Sequence, residues 1–214
     1  MSAGRPPRIL VTGFGPFPGA PDNPTDWLVS RLVADPPGGE GIAAFHAEVL
    51  EVEYDRVGPR LSQLGTAFAP DIAIHFGLAA EASGFRLERV ARNSHAGARA
   101  DNAGRLPPAA RICEGPDTLP STLPLEAIAE DLATAGLPVE WSDDAGGYLC
   151  NTVFVLSRFH ACEGLVPAMA GFIHVPLFAG QEGARPGAMK PGDLLRGARL
   201  VIAAAIDAHM GPAA

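Results

Sequence analysis

The chain has 214 residues, 47% hydrophobic and only 19% charged, which is enough apolar material for one substantial core. Sixteen basic residues against 24 acidic ones leave a net charge of -8, the wrong sign for neutralising nucleic-acid phosphates or anionic lipid, so neither is an expected partner. No apolar run approaches the roughly 20 residues that cross a bilayer, and Met1 to Arg8 carries no cleavage-site pattern, which predicts a soluble, cytoplasmic protein.

Taken in chain order, Arg8–Thr12 (RILVT) reads as a buried strand ending at Gly13, and Asn23-Pro24-Thr25 opens a helix with Trp27, Leu28 and Leu32 inward. Phe45–Val52 alternates as a strand does, and Asp55–Ala69 carries Val57, Leu61, Leu64 and Phe68 at helical spacing before Pro70 closes it. Asp71–Phe76 is a second central strand, and Phe85–Val90 (FRLERV) alternates apolar and charged residues as a third or edge strand would. Residues 104–123 hold four prolines without periodicity and read as a surface excursion. Leu125–Ala135 is a helix, Pro138–Trp141 a short strand, the stretch entering at Cys150 a helix, GFIHV a strand stopped by Pro176, and Leu194–Met210 an amphipathic helix. Strands alternating with helices predict a single α/β domain over residues 1–214. A mostly parallel, mixed sheet would be covered on both faces in a three-layer α/β/α sandwich, with its ligand beyond the carboxyl ends of the strands.

The three cysteines, Cys113, Cys150 and Cys162, are odd in number and include no C-x-x-C pair, so neither a disulfide framework nor a zinc or iron–sulfur site is expected. Histidines at clear ligand spacing are lacking too, and the expectation is no metal and no cofactor. The loop Gly13–Gly19 (GFGPFPG) is no phosphate cradle: the only lysine is Lys190, and prolines at 16 and 18 remove two backbone donors. Its Phe14 and Phe17 are either an apolar wall of a site or anchors to the core.

Cys150 follows Asp143-Asp144-Ala145-Gly146-Gly147 and precedes an apolar helix, so its thiol sits at or near a helix N-terminus, where a thiolate and a developing oxyanion are both stabilised. The competing reading is a buried structural cysteine. His174 in GFIHVP ends an apolar strand where a base belongs, with His75 in DIAIHFG its direct competitor. Glu88, flanked by Arg86, Arg89 and Arg92, is either part of a surface charge ladder or a carboxylate that orients an imidazole.

Together and in order, ILVTGFGPF, ERVARN, DAGGYLCN and GFIHVP resemble the signature segments of pyroglutamyl peptidase I, cysteine peptidases that remove N-terminal pyroglutamate. The resemblance implies Cys150 as nucleophile, His174 as general base and acid, and Glu88 as the residue orienting the histidine. It further implies a flat apolar pocket for the lactam ring from Phe14, Phe17, Leu78, Tyr148 and Leu149, with Arg99 matching a positioning arginine. The implied partners are peptides or amides carrying N-terminal pyroglutamate, and the candidate assembly is a homo-oligomer, a dimer or a tetramer. Where the family reads Gln-Ala-Gly-Gly-Arg, this chain has Leu78-Ala79-Ala80-Glu81-Ala82, which gains an acid beside the expected pocket. That change motivates two alternatives: a related cysteine hydrolase of another small acyl or lactam amide, and a non-catalytic α/β ligand-binding homologue.

Overall fold

The computed structural model describes residues 5–39 and 41–211; part of the N-terminal stretch read for a leader lies outside them. Strand β1 (Arg8–Phe14) continues two residues past the expected stop, because its parallel pairing with β2 (Ala44–Leu50) carries on to Phe14 opposite Leu50. Helix α1 (Pro24–Ala34) starts as its sequence dictates: the Asn23 side chain accepts from the Thr25 N–H, and Pro24 takes the first helical position, where no N–H is needed. Helix α2 (Tyr54–Phe68) ends at Ala69 in the left-handed region, with Pro70 beyond it.

Strand β3 (Ile72–Leu78) is followed by β4 (Phe85–Glu88) and, after a break at Arg89, by β5 (Val90–Arg92). The proline-rich excursion is more ordered than its composition suggests. It contains β6 (Thr118–Pro120), antiparallel to β5, and the Asn93 side chain clamps it by donating to the carbonyls of Cys113 and Pro116 and accepting from the N–H groups of Ile112 and Cys113. A side-chain amide thus satisfies backbone groups that prolines cannot pair in a sheet. Helix α3 (Leu125–Thr134), strand β7 (Val139–Ser142), helix α4 (Leu149–Arg158), strand β8 (Met169–Val175) and helix α5 (Pro191–Met210) complete the chain; α5 begins three residues earlier than its periodicity indicated, at a proline.

The six-stranded sheet runs β2-β1-β3-β8-β4-β7; the first four strands are parallel, β4 is antiparallel to β8, and β7 is parallel to β4. FRLERV is therefore no edge. Its first four residues form an interior strand between β8 and β7, and Glu88 is fully buried, so the charge-ladder reading fails at that residue.

Apolar residues of α1, α3 and α5 pack on one face of the sheet and those of α2 and α4 on the other, giving three layers. Alternation along β8 splits the two cores: Ile173 and Val175 face the first, Phe172 the second. His174 shares the Phe172 side by the same alternation, so its imidazole lies on the face covered by α4. Phe76, Phe85, Phe154 and Phe172 are fully buried, each worth about 1.5–3 kcal/mol of transfer free energy, so the strands under the site are fixed by packing.

Candidate active site

The loop entering α4 is shaped by two glycines. Gly146 has φ +81°, and a side chain at Gly147 would run into the carbonyl of Ala96. This tight entry sets Cys150 in the first turn of α4, and no side chain caps the helix at Tyr148. Among the described residues the N–H groups of Leu149, Cys150 and Asn151 have no backbone acceptor. Unpaired donors at a helix start favour negative charge, here beside the thiol. Asn151 holds that turn to β5: its side chain accepts from the Arg92 N–H and donates to the carbonyls of Arg92 and Ser94.

The thiol also needs space beneath it. A Cβ at Gly77 in β3 would lie 2.7 Å from Cys150 Sγ and as close to the Phe172 ring, so only glycine leaves room there. One pleat earlier on the same face, His75 is fully buried with Nδ1 2.7 Å from Thr12 Oγ1 and Nε2 2.8 Å from Ser157 Oγ. Burial drives its pKa down to about 3, which favours the neutral ring, and both of its nitrogens face hydroxyl partners within the core.

His174 Nδ1 lies 2.8 Å from Glu88 Oε1, and the ring shares the lining of one cavity with Cys150. The strand register makes this possible: His174 pairs with Arg86 across β8 and β4, and Glu88 pairs with Phe172, so the imidazole reaches its carboxylate on the diagonal. Glu88 Oε2 is buried without another partner among the described residues, which leaves the imidazole as the carboxylate's one hydrogen-bonded neighbour. Burial opposes charge on the His174 ring, but the charges of Cys150 and Glu88 facing it outweigh that cost and push its pKa up to about 9.

A cavity of about 150 Å³ opens over the thiol. Phe14, Phe17, Leu78, Arg99, Tyr148, Leu149, Cys150 and His174 all line it, Glu88 stands behind the histidine, and the competing His75 does not reach it. The Arg99 guanidinium sits 4.3 Å from the Tyr148 ring centroid and 4.9 Å from that of Phe17, whose rings meet edge to face. The Tyr148 hydroxyl donates to the carbonyl of Ala100, and that of Tyr54 to the carbonyl of Arg99. Asn102 ties the same segment to the other walls, through its side chain to Pro16 and its N–H to Val52.

Sequence reasoning missed three lining residues, Asn23, Val52 and Ala145. Asn23 had a signal, but one fully explained by helix capping, while Val52 and Ala145 look like any apolar residue. Of the segment 78–82 only Leu78 lines the cavity; Glu81 instead pairs with Arg86 at 2.7 Å, so the expected acid beside the pocket is engaged on the surface. Cys113 and Cys162 lie elsewhere, and burial raises the pKa of both. No group of three His, Cys, Asp or Glu side chains among the described residues could hold a metal ion, and no helix among them is long and apolar enough to cross a membrane.

The chain matches the family model described as pyroglutamyl peptidase over residues 7–209. It is 39% identical over 171 residues to pyrrolidone-carboxylate peptidase of Pyrococcus furiosus, covering 79% of this chain and 80% of that protein. Against pyrrolidone-carboxylate peptidase 1 of Ralstonia nicotianae it is 37% identical over 92% of this chain and 91% of that one. The crystal structure of the Pyrococcus furiosus pyrrolidone carboxyl peptidase superposes with a TM-score of 0.84 over 94% of this chain and 99% of that one, at 34% identity. A matched model spanning nearly the whole chain, together with a shared mixed α/β fold, places this protein in the pyroglutamyl peptidase family.

Proposed function

We propose that this chain, as one catalytic domain, is a cysteine exopeptidase that removes N-terminal pyroglutamate from peptides. The observation that carries the reading is the alignment Glu88, His174, Cys150 at the uncapped start of α4, beside a narrow apolar cavity. The lactam ring is small, flat and uncharged, and Phe14, Phe17, Tyr148 and Leu149 offer it an apolar slot, which charged or bulkier termini cannot enter without loss of solvation or a clash.

In the first step Cys150 Sγ attacks the pyroglutamyl carbonyl carbon, and the resulting oxyanion lies at the free N–H groups of the first turn of α4. The imidazolium of His174 gives its Nε2 proton to the departing amine nitrogen, the C–N bond breaks, and a thioester remains. Water, deprotonated by the same nitrogen, then attacks the thioester, and free pyroglutamate and the thiolate leave. Glu88 acts through His174: it keeps the Nδ1 proton in place and stabilises the cation.

The test is release of a chromogenic amine from a pyroglutamyl amide under reducing conditions. Activity in the wild type and none in Cys150→Ser is expected. Cleavage of alanyl or prolyl amides with no cleavage of the pyroglutamyl amide overturns the substrate, and full activity in Cys150→Ser overturns the nucleophile.

A further inference from the structure

Asn23, only 4% exposed, is a wall of the cavity over Cys150 and also of a second, larger cleft of about 550 Å³. This cleft is built from the start of α1 and the loop after β8, the strand that carries His174. Trp27 and Phe178 line it with ring centroids 5.1 Å apart. Gln181 holds the rim together: its Oε1 accepts from the Phe178 N–H at 2.9 Å and its Nε2 donates to the carbonyl of Asp22. Two carboxylates, Asp22 and Asp26, line the cleft, and neither has a side-chain hydrogen bond or ion pair among the described residues. The one cation in its lining, Arg31, lies 5.5 Å from the Trp27 ring centroid.

Hydrolysis of a peptide needs room on both sides of the scissile bond. With the lactam ring against Phe14, Phe17 and Tyr148 as proposed above, the leaving nitrogen must face His174, and the loop that follows its strand reaches Phe178 four residues on. The larger cleft begins across the Asn23 wall, and its surplus of carboxylate over cation, with two aromatic rings, suits a positive side chain by charge and by cation–π contact.

We propose that this cleft is the subsite for the residues that directly follow pyroglutamate, and that it favours a lysine or arginine there. The inference rests on the peptidase reading above. It is tested by kcat/KM on amidated pyroglutamyl-lysine and pyroglutamyl-glutamate, with pyroglutamamide, whose leaving group is ammonia, as the reference for the reaction itself.

The wild type is expected to favour the lysyl substrate about tenfold, and Asp22→Asn/Asp26→Asn to bring that ratio to about twofold or below. Because a folding defect scales both substrates alike, the ratio reads the cleft and not the amount of active enzyme. A wild-type ratio near one, or a tenfold ratio kept by the double variant, overturns the subsite. Turnover of neither peptide nor of pyroglutamamide overturns the peptidase reading itself, and the subsite falls with it.

Discussion

His174 and Glu88 meet across two antiparallel neighbours, β8 and β4, at 2.8 Å, although 86 residues separate them along the chain. The pair is buried, 8% and 0% exposed at the side chains, so water does little to screen it. A carboxylate placed so raises the proton affinity of the imidazole and holds one tautomer.

Replacing Glu88 by Gln keeps the volume and removes the charge. We expect turnover of a pyroglutamyl amide to fall by about 10- to 100-fold. The alkaline limb of the rate profile should also move to lower pH, since Glu88 is one of the groups that raise His174. A pH profile of kcat/KM checks this, and an unmoved limb at full activity would remove Glu88 from its role.

In the proposed reaction His174 must be protonated, so kcat/KM of the wild type should decline as pH rises through about 9. The same sign applies to stability. A pKa raised from 6.5 contributes fully below pH 6.5 and is lost as pH rises through about 9. Chemical denaturation between pH 6.5 and 10 measures the second effect independently of activity.

His75 works in the opposite direction. Its folded pKa is lowered from 6.5 to about 3, so the unfolded chain takes up a proton first, and stability falls as pH drops from 6.5 toward 3, by about 1.4 kcal/mol per pH unit for one proton. Replacing His75 by Gln, which keeps a partner for Thr12 or Ser157, should flatten that acid slope in denaturation curves.

Gly77→Ala inserts a methyl group 2.7 Å from Cys150 Sγ and the Phe172 ring. Overpacking of this kind costs about 1–3 kcal/mol, and displacing the thiol should lower kcat by about 100-fold. Thermal unfolding together with single-turnover kinetics separates the two effects; wild-type kcat would show that the thiol is not where the reaction needs it.

Tyr148→Phe and Tyr54→Phe each delete a hydrogen bond that holds the backbone of Arg99 or Ala100 over the cavity. Each should raise KM about threefold with little change in kcat, because a half-exposed hydrogen bond contributes about 0.5–1.5 kcal/mol. A loss confined to kcat would contradict a role in shaping the pocket.

The sequence determined most of what is local. Apolar period and proline placement marked the main helices and strands, Asn23 announced the start of α1, and the glycines before Cys150 forced a tight entry into α4. Ordered motif blocks marked the nucleophile, base and carboxylate as candidates. Tertiary structure decided what depends on contacts between distant strands.

Glu88 looked solvated among arginines, and only the insertion of β8 between β3 and β4 buries it against His174. The two histidines were indistinguishable by pattern, each near the end of an apolar strand. Burial between β1 and α4 favours the neutral form of His75, while Cys150 and Glu88 of β4 favour the charged form of His174. Burial and charge pairing are sums over neighbours that the chain brings together only on folding, so no local pattern encodes them.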